Sequence, residues 1–78
     1  MTVKTLRNVT IREYRTFLER IGCQHTRTTG GHEHWTRKDL NRPITFQTHI
    51  EPVPEFILKN GLRILGMSKN EFWTTLEQ

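Results

Sequence analysis

Cysteine and long apolar segments are both scarce in this sequence. Its 78 residues include one cysteine, Cys23, which excludes an internal disulfide and suits a reducing compartment. No apolar run approaches the roughly 18 residues that a membrane-spanning helix needs, and the first residues lack the apolar core of a secretory signal. We therefore expect one small soluble domain in the cytoplasm, without a membrane partner. It would comprise residues 9–78, after a basic, loosely attached leader at residues 1–8.

Positive charge is unevenly distributed along the chain. The formal net charge is +4, and residues 1–42 hold nine of the twelve Lys and Arg residues but four of the eight acidic ones. That half therefore carries +5 and residues 43–78 carry −1. A basic half suits a polyanionic partner, most simply nucleic acid, although an ordinary solvated surface explains the composition equally well.

Sequence signals for helix starts occur near both ends of the chain. Thr10 and Glu13 have the spacing of a capping box, and Ser68 and Glu71 repeat it. The apolar residues that recur at helical spacing are Ile11, Tyr14, Phe17, Leu18 and Ile21, then Leu58, Leu62 and Leu65. Gly22 and Gly66 are placed to end these two helices, and Pro54 fits the first position of the second. Gly61, inside that helix, predicts a close approach to the sheet.

A glycine pair marks a hairpin. Gly30-Gly31 can supply the two positive φ angles of a two-residue turn, and the residues on both sides alternate in polarity. A turn centred there places Thr29 opposite His32 and Arg27 opposite His34. The two histidines and Arg27 then share one face, and Trp35, Glu33, Thr26 and Thr28 share the other.

Residues 44–49 alternate in the same way and predict a third strand after β-strands at 24–29 and 32–38. A second turn centred between Leu40 and Asn41 would place Trp35 opposite Phe46 and His32 opposite His49. The aromatic face would pack beneath the two longer helices. The predicted fold class is α+β, a two-layer α-β-β-β-α sandwich like that of double-stranded-RNA-binding domains, with a short C-terminal helix.

Three segments carry a resemblance to a known family. They are Thr29-Gly30-Gly31-His32 after the first helix, Thr48-His49 at the third strand's end, and Leu62–Ser68 before Glu71-Phe72. Over about residues 10–76 the sequence resembles the HicA family of small toxins, the ribonuclease half of toxin–antitoxin pairs.

The resemblance implies this same fold, an endoribonuclease (mRNA interferase) activity, and neutralisation by a HicB-type antitoxin protein. It also places His32 at the position of the family's essential histidine. The sequence departs from the family at three places. Gly31 stands where a serine is usual, Glu33 where a second histidine is common, and Phe56-Ile57 where a Gly-Thr pair is common.

The predicted chemistry needs no metal and no cofactor. RNA carries a 2′-hydroxyl beside each phosphodiester, and a histidine side chain, with an ordinary pKa of about 6.5, can remove its proton. We assign His32 this catalytic role, with Arg27 stabilising the phosphate's charge. His34 or His49 would protonate the leaving oxygen, and the predicted strand register favours His49. Gly31 completes the substrate-binding set. The basic residues Arg37, Lys38 and Arg42 either contact the RNA backbone or simply form a solvated turn.

Several alternatives compete with this interpretation. His32, His34 and His49 could instead supply three nitrogen ligands to zinc. The second and third helices resemble a helix-turn-helix in outline, but the third is too acidic and apolar to read a major groove. A non-catalytic RNA-binding module and a purely structural partner domain also remain open. Tyr14, Trp35 and Trp73 are expected in the core and not stacked on bases.

Overall fold

The computed structural model describes residues 5–78, which form three helices and a three-stranded antiparallel sheet. The elements in chain order are α1 (Ile11–Arg20), β1 (Gln24–Thr29), β2 (His32–Thr36), β3 (Ile44–Gln47), α2 (Glu55–Leu65) and α3 (Lys69–Leu76). The strand order in the sheet is β1-β2-β3. The α+β class and the order of elements are those predicted from the sequence.

The predicted leader is only partly described. Residues 1–4 lie outside the described part of the chain. Leu6 is 1% exposed and belongs to the core, and the Trp73 indole donates a hydrogen bond to the Thr5 carbonyl at 3.2 Å. The chain from Thr5 onwards is thus attached to the domain, and the expectation of a loose leader is wrong for these residues.

The helix ends follow their sequence signals closely. Both capping boxes form: Thr10 Oγ1 accepts from the Glu13 backbone N–H at 3.0 Å, and Ser68 Oγ accepts from that of Glu71 at 3.1 Å. Gly66 ends α2 in the left-handed conformation at φ +68°. Pro54 is the N-cap of α2 and not its first helical residue, because the chain there is still extended.

The hairpin register next to the turn is the predicted one. Thr29 pairs with His32, Thr28 with Glu33 and Arg27 with His34, and both turn glycines have positive φ. Farther from the turn the register shifts by one residue, so His25 faces Trp35 where Thr26 was expected. Thr26 then uses its hydroxyl to donate to the His34 carbonyl at 2.9 Å. This irregularity brings His25 to the Trp35 face, with ring centroids 5.6 Å apart.

The pairing of β2 with β3 differs from the prediction by two residues. Trp35 faces Ile44, Glu33 faces Phe46 and His32 faces Gln47, so the predicted Trp35–Phe46 and His32–His49 pairs do not form. The β2 and β3 residues nevertheless keep their predicted faces, because a shift of two preserves the alternation of side chains.

Both later strands also end two residues earlier than predicted. β2 stops at Thr36 because the next segment turns, with the Leu40 N–H donating to the Arg37 carbonyl at 2.9 Å. β3 stops at Gln47, after which the Thr48 N–H bonds back to the Gly31 carbonyl at 2.8 Å.

The core lies between the helices and one face of the sheet. Trp35, Ile44 and Phe46 are at most 5% exposed, and the Tyr14 ring of α1 lies 4.8 Å from that of Phe46. Gly61 of α2 allows the predicted close approach: a Cβ there would collide with the Tyr14 hydroxyl and lie 3.7 Å from Ile44 Cγ2. Trp73 is only partly buried but packs against this core.

No helix within residues 5–78 is long and apolar enough to cross a membrane.

Candidate functional site

The second face of the sheet carries the residues that the sequence singled out. Two cross-strand rows run over it, Thr29–His32–Gln47 and Arg27–His34–Thr45, and we call this surface the open face. None of these six residues is buried; Arg27 and Thr29 are exposed, and the others are half-buried. The strand alternation therefore brings His32, His34 and Arg27 together, as predicted.

His32 is held by the hairpin turn itself. Its Nδ1 lies 3.2 Å from the Gly30 carbonyl oxygen. A carbonyl can only accept, so this hydrogen bond requires the proton on Nδ1. The lone pair of the neutral imidazole is then on Nε2, where it can accept a proton from a bound molecule.

His34 and Arg27 form the neighbouring row. His34 Nδ1 lies 3.3 Å from the Thr45 hydroxyl, which fixes the ring against β3. Arg27 faces His34 from β1, and its guanidinium makes no ion pair or hydrogen bond with any part of the described chain. A fixed imidazole thus lies beside a cation that is available for an anionic ligand.

His49 does not lie opposite His32. It follows the end of β3, and its imidazole packs over the turn, where a Cβ on Gly31 would be 3.2 Å from His49 Cε1. Thr48 anchors this arrangement, since its backbone N–H and its hydroxyl both donate to the Gly31 carbonyl. Gly31 has φ +79°, so both its backbone conformation and its contact with His49 favour a residue without a side chain.

Glu33 lies on the opposite face and has a structural role. It is 3% exposed and accepts hydrogen bonds from the Arg15 guanidinium and, at 3.0 Å, from the Trp35 indole. Burial raises the pKa of Glu33, but the hydrogen bonds from Arg15 and Trp35 outweigh it and leave that pKa below its ordinary value. Arg15 was missed in the sequence because a partner 18 residues away leaves no local pattern.

The basic residues after β2 divide into two kinds. Arg37 is engaged, because it binds both Asp39 carboxylate oxygens, at 2.6 and 2.9 Å, and the Ile21 carbonyl at 2.8 Å. Lys38 and Arg42 are exposed and make no ion pair with the described residues. These two therefore remain the better candidates for contacts with a polyanion.

Phe56 is a neighbour of the open face that sequence reasoning missed. It is 66% exposed and lines a depression of about 340 Å³ together with His32, Thr45 and Gln47. The sequence shows that Phe56 falls outside the buried Leu58–Leu62 stripe of α2, but its place beside His32 depends on how α2 packs against β3. An exposed aromatic ring in the wall of a depression beside His32 can contact a ligand bound on the open face.

The zinc alternative has no site in the described chain. No three His, Cys, Asp or Glu side chains among residues 5–78 are grouped so that they could hold a metal ion. His32 and His34 point along one face, but His49 packs over the turn instead of completing a ligand set.

The open face thus combines an imidazole with an available ring nitrogen, a second imidazole and a cation without a partner in residues 5–78. Such a set can bind a phosphate and transfer protons beside it. Comparisons of the chain with protein-family models, curated proteins and solved structures find no match.

Proposed function

We propose that this protein is an endoribonuclease that cuts mRNA with His32 as its acid/base group. The observation that carries the proposal is the place of His32 directly after the double-glycine turn, on the open face, with Nδ1 bonded to the Gly30 carbonyl. This position corresponds to that of the essential histidine in HicA toxins, which the sequence resembles. The α-β-β-β-α order, also that of double-stranded-RNA-binding domains, supports the same interpretation.

In the proposed reaction, His32 Nε2 accepts the proton of a ribose 2′-hydroxyl. The 2′-oxygen then attacks the adjacent phosphorus, and the bond from phosphorus to the 5′-oxygen breaks. A second imidazole protonates that leaving oxygen, so the products are a 2′,3′-cyclic phosphate and a 5′-hydroxyl. Arg27, which has no partner within the described chain, neutralises charge that develops on the phosphate.

Two histidines can serve as the proton donor. His34 shares the open face with His32 and is held by Thr45. The observed register no longer places His49 opposite His32, but its imidazole lies beside the turn at Gly31. Alanine substitution of each in turn identifies the donor, because its loss lowers the rate about 10²–10⁴-fold and loss of the other does not.

A HicB-type antitoxin is the partner we propose. No part of residues 5–78 buries the open face, and residues 1–42 carry a net charge of +5. A protein that presents acidic side chains to this surface would exclude RNA by charge and by shape. The cytoplasm, where mRNA is found, is the proposed location.

The experiment that tests the proposed chemistry compares labelled RNA with the all-2′-deoxy strand of the same sequence, both incubated with the protein in EDTA. We expect cleavage of the RNA only, with 2′,3′-cyclic phosphate ends. Equal cleavage of the deoxy strand, or 3′-hydroxyl ends, would contradict attack by the 2′-oxygen. Tight RNA binding without any cleavage would favour the alternative of a non-catalytic RNA-binding module, for which the exposed Arg27 and Phe56 are equally suited.

A further inference from the structure

The open face is bordered on its β3 side by a groove against α2. Two depressions, of about 340 and 310 Å³, both include Thr45 and Ile57 in their walls and are therefore adjacent. We call them together the β3–α2 groove. His32 and Phe56 lie at one end of it, and Arg42 and Asn60 lie at the other.

Phe56 provides an exposed aromatic ring at the first end of the β3–α2 groove. It is 66% exposed, although the neighbouring Leu58 is fully buried, so the ring is directed outward and not into the core. The polar residues that line this depression with it are His32, Thr45 and Gln47, and Pro54 and Ile57 add apolar wall. A flat apolar surface with hydrogen-bonding groups at its rim matches a nucleobase, which has an apolar face and polar edges.

Arg42 provides positive charge at the other end of the groove. It is exposed, and within residues 5–78 its guanidinium has no ion-pair partner. It belongs to the basic half of the chain, whose net charge is +5. A cation at one end and an aromatic ring at the other is the combination by which proteins bind single strands, with phosphates on the cation and bases on the ring.

We propose that the β3–α2 groove binds an unpaired segment of RNA, with one base stacked on Phe56 and the backbone directed towards Arg42. The inference rests on the proposed function, since it places the scissile phosphate beside His32 at the Phe56 end. A base inside a duplex is already stacked on both faces and cannot stack on Phe56. The groove therefore selects single-stranded over double-stranded RNA.

The test measures binding in the His32→Ala protein, in which the RNA stays intact, by anisotropy of a labelled single strand and of its duplex. Phe56→Leu keeps apolar bulk but removes the flat ring, and Phe56→Trp keeps a flat ring. Ile50→Ala is the matched control, because among residues 5–78 Ile50 is the other exposed large apolar residue, at 39%, and lies outside the groove. Circular dichroism verifies that each variant is folded.

We expect Phe56→Leu to weaken single-strand binding about 5-fold or more, the lower end of the range that alanine substitution of a stacking residue gives, with Phe56→Trp and Ile50→Ala near the parent. Arg42→Ala should lower the slope of log affinity against log salt by about 0.7, the value for one phosphate of a single strand. Equal loss in Phe56→Leu and Ile50→Ala, or a duplex bound as tightly as the single strand, overturns the proposal. The exposed Phe56 would then be a docking residue for a protein.

Cleavage by the chain with His32 intact separates this inference from the proposed function. If the parent and Phe56→Leu cleave RNA with the same KM, the proposal that the groove binds RNA is wrong, while the proposed nuclease activity is retained. If RNA binding depends on Phe56 but no RNA is cleaved, the proposed nuclease activity is wrong, while the proposal that the groove binds RNA is retained.

Discussion

At the scale of single residues, Tyr14 and Gly61 pack so closely that a side chain at Gly61 would collide with the Tyr14 hydroxyl. The Tyr14 hydroxyl is buried without a hydrogen-bond partner in the described chain, and α2 approaches it at Gly61. Burial, and to a smaller extent the nearby Cys23, raises the pKa of this hydroxyl well above its ordinary value. The hydroxyl therefore remains neutral, and its burial destabilises the fold.

This contact predicts strong coupling between two substitutions. Gly61→Ala alone should destabilise the protein by about 1–3 kcal/mol, because the new Cβ collides with the hydroxyl. Tyr14→Phe alone should stabilise it by about 1 kcal/mol, since it removes an unsatisfied group. In the Tyr14→Phe background the nearest ring atom is Cζ, 3.5 Å away, so Gly61→Ala should become neutral or stabilising. Urea unfolding of the four proteins measures this, and additive effects would contradict the packing described.

The residues also show what sequence can and cannot predict. His32, His34 and Arg27 were placed on one face because Gly30-Gly31 determines the nearby register. Phe56 was missed because a single aromatic residue off a stripe has no periodic pattern. Its value becomes visible only when α2 is docked beside β3.

At the scale of elements, the pair of Arg15 and Glu33 connects α1 to β2. The Glu33 side chain is 4% exposed, while that of Arg15 is 45% exposed, so most of the buried charge belongs to the carboxylate. The charged pair replaces apolar packing at this point of the sheet. The contribution of this pair to the free energy of unfolding depends on Glu33 remaining ionised.

Acid should therefore weaken the junction of α1 and β2. The pKa of Glu33 is lower in the folded than in the unfolded protein, so its stabilising effect is complete above the unfolded value of about 4.3 and is lost as the pH falls through the folded value. Glu33→Gln should lose about 1–3 kcal/mol at neutral pH and then show a flatter decline between about pH 5 and 3. Unfolding across this range, with the exposed Glu19→Gln as control, measures the difference. Parallel curves for Glu33→Gln and the parent would contradict the role assigned to the pair.

The hairpin turn gives a second prediction at this scale. Both turn glycines have positive φ, but a Cβ at Gly30 would meet open space whereas one at Gly31 would press on His49. Asparagine tolerates the left-handed conformation, so Gly30→Asn should cost well under 1 kcal/mol. Gly31→Asn should cost about 1–3 kcal/mol and displace His49. Thermal unfolding and the His49 ring signals in NMR spectra measure both effects, and equal behaviour of the two variants would contradict the contact.

Element pairing also marks the limit of sequence reasoning. The loop between Thr36 and Ile44 contains no glycine pair, so nothing local determined the β2–β3 register. A preference for pairing Trp35 with Phe46 gave a register displaced by two residues. Alternation still gave the correct faces, and for this reason the core prediction survived while the place of His49 did not.

At the scale of the whole molecule, the two faces of the sheet have different tasks. The helices bury Trp35, Ile44 and Phe46 on one side of the sheet, and this side forms the core. The other side is left to His32 and its neighbours, within a chain half that carries +5. The proposed nuclease depends on this division, since a catalytic imidazole must be both held and accessible.

The most direct test of this account is the single-turnover rate at which folded His32→Ala cleaves a labelled RNA, compared with the parent protein. The account predicts a rate about 10²–10⁴-fold lower. The free energy of unfolding should fall by no more than about 1.5 kcal/mol, the value of the hydrogen bond to Gly30, because His32 lies outside the core. Cleavage by the variant at the parental rate would contradict the assignment of His32 as the acid/base group.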